Sequence, residues 1–162
     1  MRRKIGGAVV LGLVPGVMVL AMAASAQAKI VVGVGMAGIK LGESEAQVMT
    51  TLGAPTYKTP EGKVTSWGYP TTLEGRIGFT RGHVSGMWTI SKHQKTSKGV
   101  GPGSSLAQVR KAYPAAKCVT GPFGPKSLIC SLKSRYLGKA VESSFVFFTR
   151  SVGAREVDID FG

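Results

Sequence analysis

Histidine and cysteine are both scarce in this chain, with two of each in 162 residues. Each shortage removes a class of chemistry. His83 stands at a turn entering a strand and His93 in a basic stretch, so no spacing suggests a shared metal ion. Two cysteines without a histidine beside them cannot complete the shell of a structural zinc site. The serines lack a G-x-S-x-G setting, which leaves no activated nucleophile. The expectation is a protein that is not an enzyme and that uses no cofactor and no metal. Carboxylates are also few, eight against 21 lysines and arginines, giving a net charge of +13. That excess implies attraction to anionic surfaces: acidic proteins, wall polymers or lipid headgroups ahead of nucleic acid.

A long apolar run occurs once, at the start. Arg2, Arg3 and Lys4 precede "IGGAVVLGLVPGVMVLAMAA", and "SAQA" at Ser25–Ala28 places small residues where a leader peptidase cuts. The run is nearly long enough for a membrane anchor. Pro15, the glycines and the small-residue exit favour a cleaved signal peptide over residues 1–28. No cysteine lies at the junction to carry a lipid. The expected product starts at Lys29, is exported to the medium, periplasm or cell envelope, and has no transmembrane segment. Its charge is about +10 once the three leader cations are subtracted from +13. In an oxidising compartment Cys118 and Cys130 are expected to form a disulfide rather than a metal site.

The rest of the chain repeats itself. "GESEAQVMTTLGAP" (Gly42–Pro55) is echoed by "GSSLAQVRKAYPAA" (Gly103–Ala116). Ser44 and Ser105 can each cap a helix, and Gln47 and Gln108, three residues on, can close a capping box. Apolar residues follow at helical spacing until Gly53 and Pro55, or Pro114, stop each helix. "FTRGHVSGMWTI" (Phe79–Ile90) is echoed in turn by "FTRSVGAREVDI" (Phe148–Ile159), with an added stretch in the second copy within "SLKSRYLGKAVESS". Strand candidates lie between, "VTSWGY" (Val64–Tyr69) and "SLICSL" (Ser127–Leu132). Two echoes in one order argue for duplication over coincidence. The fold expected is α+β: two tandem repeats of one helix and a three-stranded antiparallel sheet, helices on one face. The divisions are a first repeat over 29–91, a basic linker over 92–101 and a second repeat with the disulfide over 102–162.

A helix opening "S-x-x-Q-V", then "LGAP", then a strand with Trp67–Tyr69 "WGY", resembles the BamE or SmpA/OmlA module of outer-membrane assembly factors. Two such modules in tandem, secreted and disulfide-bonded, resemble the β-lactamase inhibitor protein fold. The resemblance implies a non-enzymatic binding protein whose sheet receives a partner on the face away from the helices. The inhibitor's enzyme-contacting loop has no counterpart here, so β-lactamase inhibition does not carry over.

Trp67, Tyr69 and Trp88 are the candidate binding aromatics, rimmed by Arg76, Arg81 and Lys92. They either fill the core beneath the helix or form an exposed platform for a protein or a sugar. "EVDIDF" alternates Glu156, Asp158 and Asp160 with Val157, Ile159 and Phe161, so carboxylates share one strand face. Their spacing on a flat strand encloses no Ca²⁺, and pairing with Arg150 or Arg155 is the expectation. "FVFF" (Phe145–Phe148) reads as a strand buried on both faces. The functional expectation is an envelope protein that binds another exported protein, inhibition included. The alternative is a structural protein held to anionic wall polymer or lipid by charges such as Lys92, Lys95 and Lys98.

Overall fold

The structure, a computed structural model, describes residues 29–121, 127–148 and 154–161. Three short strands open it: β1 (Lys29–Ile30), β2 (Gly35–Met36) and β3 (Ile39–Lys40). Helix α1 (Glu45–Leu52) follows, then β4 (Tyr57–Glu61), β5 (Val64–Tyr69), β6 (Gly75–Thr80) and β7 (His83–Thr89). After the short β8 (Lys95–Thr96) come α2 (Leu106–Ala112), β9 (Lys117–Thr120), β10 (Ser127–Tyr136), β11 (Lys139–Phe148) and β12 (Ala154–Phe161). Eight of the strands form one antiparallel sheet in the order β4-β5-β6-β7-β12-β11-β10-β9. None of the described helices is long and apolar enough to cross a membrane.

Both helix starts form as their sequences dictate. The Ser44 hydroxyl accepts from the Gln47 amide at 3.3 Å, and the Gln47 side chain accepts from the Ser44 amide at 2.8 Å. Ser105 and Gln108 repeat this at 3.2 and 2.7 Å. Each helix then buries one valine completely, Val48 or Val109.

The expected α+β arrangement of two helix-and-sheet repeats is not what the chain adopts. The protein is mostly β, its helices are eight and seven residues long, and a single continuous sheet carries the fold. Strand content was underestimated because β4 and β9 give no alternating signal. Every residue of β4 is exposed, and Pro60 stands within it, as an edge strand permits. The stretch with the added residues forms the β10–β11 hairpin, whose ten-residue strands outreach those of the β6–β7 hairpin. Residues 92–101 are more than a tether: β8 pairs in parallel with β1, and Gln94, Thr96 and Val100 are buried.

One face of the sheet is apolar. Trp67, Ile77, Met87 and Ile159 stand opposite one another from β5 to β12 and are buried together. Trp67 packs on Phe79 with ring centroids 4.5 Å apart. In β11, Phe145 and Val146 point to opposite faces and are both buried, as expected for the first half of "FVFF"; the side chains of Phe147 and Phe148 lie outside the described residues.

Cys118 and Cys130 face each other across β9 and β10 and form the expected disulfide, with Cα atoms 4.0 Å apart. The bridge closes a loop of sequence separation 12. It therefore stabilises by about 3 kcal/mol through restriction of the unfolded chain. Replacing both cysteines with serine should lower the unfolding free energy by about that amount in urea titration, with β9 the first strand to lose amide protection.

Candidate partner-binding face

The opposite face of the sheet is polar and open, and its composition follows from strand parity. Tyr57, Gly68, Arg76, Trp88, Asp158 and Ser144 stand in one register row from β4 to β11. The adjacent row holds Thr59, Ser66, Gly78, Gly86, Asp160 and Glu142. Gly78 and Gly86 meet on neighbouring strands and leave a trough of about 220 Å³. Glu61, Arg76 and Trp88 wall it on one side, Asp158 and Asp160 on the other.

The trough's basic wall is held by its neighbours. Arg76 donates through Nε to the Tyr57 hydroxyl at 3.2 Å and through Nη1 to Glu61 Oε1 at 3.4 Å. Its guanidinium lies 5.8 Å from the Tyr57 ring and 5.7 Å from the Trp88 ring. The ion pair is solvent-exposed and contributes at most about 1 kcal/mol. Its effect is chiefly to orient the guanidinium between two aromatic rings. Tyr57 in turn lies over Gly68: a Cβ there would sit 2.1 Å from the ring, so only glycine lets the ring close on the strand.

The acidic wall is electrostatically tense. Burial, then Glu156 and Asp160, push the Asp158 carboxyl up to about 7 from 3.8. Burial and Glu142 also raise Asp160. Arg150 lies outside the described residues, as does the side chain of Arg155, so the expected pairing with them is not part of this description. Among the described residues no cluster of histidine, cysteine, aspartate or glutamate is arranged to hold a metal ion.

Of the two placements open for the aromatic trio, Trp67 and Tyr69 take the core and Trp88 does not join them. Trp67 and Tyr69 lie in the core at 1% and 3% exposure, while Trp88 stands on the other face. The cause is a β-bulge. The β6–β7 register shifts between Gly78 and Phe79, leaving Ser85 unopposed. Val84 and Met87 thus both point inward, and Trp88 is turned outward beside Arg76. Tyr57, not singled out in the sequence, stands on the open face where the platform alternative had put Trp67 and Tyr69. Its edge strand lacks apolar alternation, and only its register against Gly68 reveals it.

The remaining candidates are dispersed. Arg81 occupies the β6–β7 turn at the end of the sheet. Lys92 is exposed, but Lys95 donates to the Pro102 carbonyl and Lys98 to the Ala112 carbonyl, each at 2.6 Å. Lys95 is half-buried, and desolvation with Lys92 nearby lowers its pKa. Two of the three lysines are thus committed within the fold.

No protein-family model matches the chain, and no curated protein matches it in sequence. Among solved structures, the fold is similar to an extracellular protein containing an SCP domain from Bacillus anthracis str. Ames. The TM-score is 0.53 at 12% identity, over 75% of this chain and 44% of that one. The chain therefore spans less than half of that protein, and the likeness is one of fold.

Two outcomes test this geometry. Trp67→Ala should cost about 3–5 kcal/mol in chemical denaturation, and Trp88→Ala less than about 1 kcal/mol. Equal losses would place both in the core. The folded protein also holds the Asp158 proton more tightly than the unfolded chain, so stability should fall as pH rises from about 4 to about 7. Asp158→Asn should flatten that decline and raise stability at pH 8, as read by urea melts across the range. An unchanged slope would contradict the assignment.

Proposed function

We propose that this is an exported, non-enzymatic binding module that recognises a basic segment of another exported protein on the open face of its sheet. The observation that carries this reading is the gathering of carboxylates on that face. Five of the eight carboxylates, Glu61, Glu142, Glu156, Asp158 and Asp160, share this face of a protein whose net charge is +13, with Arg76 among them, Lys133 opposite Glu142 and Lys117 on the edge strand beyond. Burial first, and the neighbouring Glu156 and Asp160 second, disfavour the charged form of Asp158, and an incoming lysine or arginine would favour it. Trp88, Arg76 and Tyr57 beside the trough supply the residue types that dominate binding energy at protein interfaces.

Export is supported by the leader-like residues 1–28, the disulfide and the extracellular setting of the similar structure. The resemblance to BamE and β-lactamase-inhibitor modules remains part of this proposal, supported by the paired capping boxes. The alternative, attachment to anionic polymer or lipid by general charge, draws support from the net charge. It draws less from Lys95 and Lys98, which are hydrogen-bonded within the fold.

Affinity capture from a cell-envelope extract separates these readings, using the wild type and a Trp88→Ala/Asp160→Asn variant washed at low and high salt. A protein retained at high salt by the wild type and lost by the variant supports the face. Its affinity should rise with pH through about 7, because cation binding favours ionised Asp158. Capture of acidic polymer alone, by both forms and only at low salt, would overturn the proposal and favour charge.

A further inference from the structure

The ends of the strands carry a second site of opposite sign. The two-residue turns of the β4–β5, β6–β7 and β10–β11 hairpins lie at one end of the sheet, as does the last residue of β12, Phe161. The segment before α1 is pinned beside β7, where Gly42 donates to the Val84 carbonyl and Val84 to the Glu43 carbonyl, each at 2.8 Å. Between these elements lies a cleft of about 850 Å³. Lys63, Arg81, His83 and Lys139 line it, and none of its described lining residues is acidic. Leu137 and Phe161 supply an apolar surface, with the Lys139 ammonium 4.9 Å from the Phe161 ring. The His83 ring is held through Nδ1 to the Arg81 carbonyl at 3.0 Å. A carbonyl only accepts, so Nδ1 carries the proton.

Backbone strain points to the same place. Four described residues other than glycine have positive φ, and two of them line this cleft: Arg81 at 53° and Leu137 at 51°. Each begins a two-residue turn completed by a glycine, Gly82 or Gly138, also at positive φ. Asparagine or glycine would suit that first position with less strain. An arginine and a leucine stand there at a cost of about 1 kcal/mol each. Strain of this kind collects where a side chain is needed in a particular place.

We propose that this cleft binds an amphiphilic anion, with a phosphate or carboxylate head among Arg81, His83, Lys63 and Lys139 and an apolar body over Leu137 and Phe161. The volume suits one molecule of drug-like size. The site lies at the strand ends and uses none of the residues of the open sheet face, so each proposal can fail alone.

Calorimetric titration of the protein with dodecyl phosphate, below its micellar concentration, tests this. One molecule should bind per chain. Arg81→Asn with Lys139→Gln should weaken binding at least tenfold, and Leu137→Asn should also weaken it. Asparagine tolerates positive φ, so these turns are expected to fold, and unchanged melting would show it. Lys111→Gln, which removes one charge from the exposed side of α2, should leave the affinity as it is. Equal weakening by Lys111→Gln would reduce the effect to general charge and overturn the site. Equally tight binding of neutral dodecyl maltoside, or of inorganic phosphate alone, would overturn the amphiphilic ligand class. Absence of binding would overturn the proposal outright.

Discussion

The pairing of β7 with β12 holds the molecule together. Thr89, Trp88, Met87 and Gly86 stand against Val157, Asp158, Ile159 and Asp160, the last strand of the chain closing on one from its middle. Without this seam the sheet would be two separate groups of four strands, each with one more open edge and half a core. With it, Met87 and Ile159 complete an apolar layer running from Trp67 to Phe145. The same four pairs bring Trp88 to Asp158 and Gly86 to Asp160, so the seam also assembles the open face.

A single extra residue decides what that face contains. The bulge at Ser85 reverses the direction of every side chain in the rest of β7 relative to an unbroken pairing. It sends Met87 and Thr89 inward and Trp88 outward. The molecule thus gathers five carboxylates on the open face, with Arg76, Lys133 and Lys117 among them, and lines a cleft at the strand ends, where the hairpin turns converge, with cations. Its net charge alone conceals both features.

Signals local to a few residues were legible in the sequence. The Ser44–Gln47 and Ser105–Gln108 pairs announced two helix starts, and the alternation of "EVDIDF" placed Val157 and Ile159 inward with the carboxylates outward. The cysteine pair announced its bridge. What failed depended on registry between distant strands. Tyr57 and the rest of β4 are exposed throughout, so no apolar period marks that strand. The bulge that turns Trp88 away from Trp67 has no signature beyond a serine and a glycine in a strand. The helix caps were read correctly but weighted too heavily, which turned a mostly β protein into an expected α+β one.

The most direct test of this account is residue-resolved amide hydrogen exchange at the seam. Amides of β7 and β12 at Met87–Thr89 and Val157–Ile159 should exchange as slowly as those around Phe145, far more slowly than those of edge strand β4. Exchange at the seam as fast as at β4 would show that β7 and β12 are themselves edges, and both the continuous sheet and the face built on it would fall.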